Sequence, residues 1–139
     1  MLDYHSGVWK ITLIKEVINI TGAPQAIGTY SQGIKTENFI FTSGQIPINP
    51  QTGNLKTDDI KAEIRQVLDN LNAVLEGGGS ALKSTVKLTV FVTDLSYFSE
   101  VNEVFNEYFS ENPPARSAVQ VSALPMGARI EIEAIGIVK

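Results

Sequence analysis

The chain has 139 residues, 43% of them hydrophobic and 19% charged, which fits one globular domain with its own core and excludes a disordered chain. With no cysteine and one histidine, it excludes disulfides, thiolate nucleophiles, Cys- or His-rich metal sites and a Ser-His-Asp triad. A net charge of -4 argues against a nucleic-acid binder, which needs a basic face, yet permits a small anionic ligand held by one arginine.

Residues 1–14 show no clear period and carry His5 and Trp9 among scattered polar groups. They read as an unstructured extension ahead of one domain over 15–139, with His5 a solvated surface residue. Lys10 and Lys15 interrupt any apolar run, so the start is a poor signal peptide. No stretch approaches the ~20 apolar residues of a membrane helix, and the expected location is the cytoplasm.

From Lys15 the text becomes patterned. Glu16 to Ile20 predicts a short strand closed by Thr21-Gly22, followed by a loop whose glycines, Gly28 and Gly33, stand at turn positions. A second strand over Gly33–Lys35 turns through Thr36-Glu37-Asn38. Phe39 to Ile46 is apolar and β-branched with Ser43-Gly44-Gln45 inside it, and a glycine there marks a bulge or a close backbone approach. Ile60, Ile64, Leu68, Leu71 and Leu75 form one face of a helix beginning at Thr57 or Asp58, with Asp58 and Asp59 favoured by its dipole. Gly77-Gly78-Gly79 follows that helix instead of opening one, so it is a C-terminal cap and not a phosphate cradle.

Thr85 to Thr93 alternates, with Val86, Leu88, Val90 and Val92 on one side and Thr85, Lys87, Thr89, Phe91 and Thr93 on the other. Asp94 or Ser96 caps a second helix over Tyr97–Phe109, stopped by Asn112-Pro113-Pro114. Ala118–Ala123 and Arg129–Val138 supply two last strands. The order β-β-β-α-β-α-β-β predicts an α+β fold, a mixed sheet with two helices packed on one face. The other face carries Thr89, Phe91, Glu131 and Glu133, too apolar in places to stay wet, and is expected to pack against another copy of the chain.

Two residue types stand out near the C-terminus. Arg116 follows a proline pair, keeps its charge near neutral pH and offers a planar fork that matches a carboxylate or phosphate. Glu131 lies in an alternating strand where it can accept a proton or orient a water. They point to a small anionic substrate held by Arg116 and worked on by Glu131; the structural alternative is an Arg–Glu ion pair tying neighbouring strands.

Five linked stretches resemble the RidA (YjgF) family: Ala23-Pro24-x-Ala26-Ile27-Gly28-x-Tyr30-x-Gln32-Gly33, Thr42-Ser43-Gly44-Gln45-Ile46-Pro47, Val92-x-Asp94-Leu95, Pro114-Ala115-Arg116-Ser117 and Ile130-Glu131-Ile132-Glu133-Ala134. The resemblance runs from about Lys15 to Lys139. It implies the chorismate mutase-like YjgF fold, a homotrimer with three ligand clefts between subunits, and hydrolysis of 2-imino and 2-enamino acids to 2-keto acids and ammonia without cofactor or metal. It also implies that Arg116 grips the substrate carboxylate, that Glu131 places the water, and that Tyr30, Ser43, Gly44 and Asn102 line the cleft. Many members carry a cysteine where this chain has Ala118; its backbone carbonyl is expected to serve there. Alternatives are a non-catalytic trimer that binds small carboxylates, and an endoribonuclease or translation inhibitor, against which the acidic charge and single histidine argue.

Overall fold

The computed structural model describes residues 2–5, 7–11, 15–57 and 59–139, the first two stretches by their backbone. Strands β1 (Leu2–His5) and β2 (Val8–Ile11) pair antiparallel as a separate two-stranded sheet. This corrects the expectation of an unstructured start: Gly7, at φ 78°, supplies a turn that brings two β-prone tetrapeptides together.

The body of the chain is one six-stranded sheet in the order β3-β4-β5-β8-β6-β7. The strands are β3 (Glu16–Ile18), β4 (Gly33–Lys35), β5 (Phe39–Thr42), β6 (Thr85–Val92), β7 (Ala115–Gln120) and β8 (Ile130–Ile137). All neighbours are antiparallel except β6 and β7, whose parallel pairing needs the crossover helix between them. The expected α+β order and the two-helix architecture are those observed.

Helix α1 (Ile60–Gly77) buries Ile64, Val67, Leu68, Leu71, Val74 and Leu75, and α2 (Phe98–Tyr108) buries Val101, Val104 and Phe105. Both faces meet Leu88, Val90 and Val92 of β6 and Ile130, Ile132 and Ala134 of β8 in one core. Each fully buried Leu, Ile or Val there contributes about 1.5–3 kcal/mol. The Arg65 guanidinium donates two bonds to the Glu107 carboxylate, at 2.9 and 2.8 Å, tying the outer sides of the two helices.

Three local readings shift. The helix cap is Asp59, whose carboxylate accepts from the Ala62 N–H at 2.9 Å; Asp58, expected at the start, lies outside the described residues. A bulge between Thr85 and Lys87 breaks the alternation, so Thr85 is buried and Val86 is exposed. The β7 boundaries move upstream to Ala115–Gln120, which places Arg116 inside a strand. The triple glycine ends α1 as expected: Gly78 donates to the Leu75 carbonyl at 3.1 Å, and Gly79 takes φ 87°.

Asp59→Ala removes the acceptor for the Ala62 N–H and is expected to lower stability by about 1 kcal/mol in chemical denaturation followed by circular dichroism.

Candidate functional site

Glu131 is the second residue of β8, on the face of the sheet away from the helices, paired across to Phe91. The segment after β5 is sewn to it: Gln45 N–H donates to the Ile132 carbonyl at 2.9 Å, and Ile132 N–H returns a bond to Gln45 at 3.1 Å. That pairing lays the Gly44 backbone directly under the Glu131 side chain. A Cβ on Gly44 would overlap the carboxylate, coming within 2.8 Å of its Cδ. Glycine is therefore required by close approach, which is what a glycine inside an apolar run signals.

The Glu131 carboxylate is half-buried. Burial pushes its pKa above the ordinary glutamate value, and the nearby Glu133 charge adds to the rise. It borders a cavity of about 780 Å³ that Tyr30, Ser43, Gly44 and Met126 also line.

The wall of this cavity is a loop wrapped around one buried amide. Gln32 accepts from the Ile20 N–H at 2.7 Å and donates to the carbonyls of Ile20 at 3.0 Å and Pro24 at 2.9 Å. Ser43 belongs to the same scaffold: its hydroxyl donates to the Ser31 carbonyl at 2.5 Å, and its N–H to the Gln32 carbonyl at 2.9 Å. Tyr30 projects beyond the loop, its hydroxyl accepting from the Ile27 N–H at 3.4 Å. Across the cavity, Asn70 holds the other wall by donating to the Ile48 carbonyl at 2.9 Å. Sequence reasoning passed over Gln32 and Asn70 as partners of the site. A glutamine between turn glycines and an asparagine on a helix give no sign of burial until the long-range packing is known.

Arg116 is elsewhere. On β7 it pairs with Leu88, a helix-facing core residue, so its side chain leaves the sheet on the helix side. One guanidinium nitrogen donates to Asn102 Oδ1 at 2.8 Å, and the group lies over the Phe105 ring, 5.5 Å from its centroid. A second cavity of about 430 Å³ opens here, walled by Asn102, Phe105, Phe109, Pro113 and Pro114. Ala118 follows one pleat further on and packs against the core.

The expected site residues thus form two groups. Tyr30, Ser43, Gly44 and Glu131 surround one cavity; Asn102 and Arg116 border another, with Ala118 beside them on the same strand. The expectation that Arg116 and Glu131 sit on neighbouring strands is corrected, because β6 lies between β7 and β8. The ion-pair alternative falls with it: among the described residues, the Arg116 guanidinium donates to Asn102 on α2 and not to a glutamate.

The start of β8 is fixed independently. Arg129 donates to both oxygens of the buried Glu63 carboxylate and lies 5.4 Å from the Tyr97 ring centroid. That ties α1 and the segment before α2 to the residue two places ahead of Glu131.

The model of the Endoribonuclease L-PSP family matches residues 20–138, and the chain belongs to this family, the RidA (YjgF) family that its motifs resemble. A RutC family protein of Pyrococcus horikoshii is 52% identical over 122 residues, covering 88% of this chain and 97% of that protein. The 2-iminobutanoate/2-iminopropanoate deaminase of Homo sapiens is 44% identical over 126 residues, covering 91% of this chain and 92% of that one. Among solved structures, E. coli TdcF with bound serine superposes with a TM-score of 0.85 at 40% identity, covering 89% of this chain and 99% of that one.

Because burial raises the Glu131 pKa, folding favours its protonated form. Its contribution to stability is present below the unfolded-state value and lost as pH rises through the folded-state value. Glu131→Gln, which stays neutral, is therefore expected to melt higher than the parent at pH 7–8, and the gain should vanish as the pH falls below about 4. Thermal melts of both proteins across that range check it.

Proposed function

We propose that the domain over 15–139, with 1–14 as its extension, hydrolyses 2-imino acids in the cytoplasm. Its substrates include 2-iminobutanoate and the imine tautomer of 2-aminoacrylate, and its products are 2-keto acids and ammonia. The site forms where Glu131 of one copy meets Arg116 of the next in a homotrimer. The observation that carries this reading is the division of the site. A carboxylate grip and a candidate base lie on opposite faces of one sheet, and neither completes a site alone. The open face beside Glu131 exposes Phe39, Phe41, Val119 and Ile137, an apolar surface suited to another copy of the chain. The name of the human relative supplies the reaction class, and the serine in TdcF supports a ligand of amino-acid size.

The chemistry asks little of the protein. Arg116 takes the substrate carboxylate in its fork, with Asn102 and the Phe105 ring fixing the guanidinium plane. C2 of the protonated imine is already electrophilic. Water attacks it, Glu131 accepts the water proton, and the C=N π electrons move to nitrogen to give a carbinolamine. Glu131 then gives that proton to nitrogen and, as a carboxylate again, takes the hydroxyl proton as the C–N bond breaks, leaving the keto group and ammonia before it releases the proton to solvent. The raised pKa of Glu131 suits both halves of this cycle, since it makes the carboxylate a stronger base. Ser43 and Gly44 act by holding Glu131 in place. On the edge strand β7, unpaired backbone groups near Ala118 can meet the imine, so the missing thiol is not needed. This chemistry requires no metal or covalent nucleophile.

Imine generated by a serine or threonine dehydratase, with release of 2-keto acid followed, tests the activity. The parent protein should accelerate release, and Arg116→Lys should lower kcat/KM about 100-fold while remaining folded, because a point charge does not fix the orientation of the reacting carbon. No acceleration by the parent would leave a carboxylate-binding module; parent-like acceleration by Arg116→Lys would remove the two-pronged grip.

A further inference from the structure

Resting on the reading above, we infer that the cavity beside Glu131 is a subsite for the substrate's side chain, one that selects uncharged apolar chains of several carbons and rejects side chains ending in a carboxylate. Three observations carry this inference.

The first is size. The wall that one chain contributes encloses about 780 Å³ beside Glu131 before the next copy's Arg116 closes it, more than a one-carbon side chain fills.

The second is the rim. Ile27 is 88% exposed, Met126 62% and Tyr30 53%, and all three line this cavity, with Ile46 and Ile48 deeper in its wall. Apolar surface of that extent returns free energy only when something apolar covers it. Met126 adds weight, because it stands at φ 58° in the turn Pro125–Gly127. A glycine would hold that conformation without strain, so a long apolar side chain is carried there at a local cost.

The third is charge. Among the described residues, the charged ones lining the cavity are Glu131 and Glu133, with no lysine or arginine. An ionised carboxylate at the end of a substrate side chain would enter a half-buried space already negative, with Arg116 of the next copy committed to the substrate's own carboxylate.

An L-amino-acid oxidase of broad specificity supplies imines from leucine, alanine and glutamate, and release of each keto acid is measured with the full-length protein. The leucine-derived imine should be hydrolysed with kcat/KM at least about tenfold above the alanine-derived one, and the glutamate-derived imine about tenfold or more below it. Met126→Lys keeps length and backbone conformation while bringing a cation to the rim. It should raise the glutamate-to-alanine ratio about tenfold and lower the leucine-to-alanine ratio. Equal ratios in the parent, or ratios that Met126→Lys leaves unchanged, would overturn the subsite.

Calorimetric binding of pyruvate, 4-methyl-2-oxopentanoate and 2-oxoglutarate separates this from the activity itself. If no imine is hydrolysed but the keto acids bind in the order branched, short, dicarboxylate, the deaminase reading falls and the subsite stands. If imines are hydrolysed without that order, the subsite falls alone.

Discussion

The site depends on two backbone hydrogen bonds, those that join Gln45 and Ile132 in both directions. They extend the β5–β8 pairing past the end of β5 and press the Gly44 backbone against the Glu131 side chain. A half-buried carboxylate facing apolar surroundings is costly, and it persists because the sheet on one side and the Ser43–Gln45 segment on the other leave it no alternative. The same contact serves the proposed role, since the burial that raises its pKa also makes it a stronger base. Around it the polar scaffold is conventional: Gln32, Asn70 and the Ser43 hydroxyl are committed to backbone groups and set the shape of the walls.

Much of the fold could be read from short-range pattern. The α1 face from Ile64 to Leu75, the glycine stop, the alternation through Leu88, Val90 and Val92, and the strand parity that puts Glu131 and Phe91 on the same face follow from periods of 3.6 and 2. Gly44 was visible as a glycine where a strand residue was due. What escaped were features decided by distant partners. The bulge at Val86 depends on how β6 meets β8, the buried amides depend on the loop and helix packing, and the place of Arg116 depends on strand order. A sequence shows that Arg116 and Glu131 each lie in a strand; only the sheet shows that β6 separates them and that their side chains leave from opposite faces. The N-terminal hairpin was missed for a simpler reason: four-residue strands are too short for a period to declare itself.

That separation gives the proposal its form. Arg116, the proposed carboxylate grip, has one nitrogen oriented by Asn102, an aromatic ring beneath it and a cavity in front. Glu131, the proposed base, lies at the edge of a different cavity. Two half-sites on opposite sides of a sheet, with exposed phenylalanines beside one of them, are economically explained by cyclic association in which each copy offers a different half to each neighbour. A strand buried on both faces by such packing would also account for the apolar residues on the side of β5 and β8 that the helices leave uncovered.

The most direct measurement is complementation between two inactive variants. Arg116→Ala and Glu131→Gln are each purified as homo-oligomers, then co-expressed with different tags and isolated as mixed assemblies. If each cleft takes Glu131 from one copy and Arg116 from the next, both homo-oligomers are inactive on imine. Every mixed trimer then regains one intact cleft in three, so activity returns to about a third of the parent's. Mixed assemblies as inactive as the two homo-oligomers would show that both residues must come from the same chain, and would contradict the account.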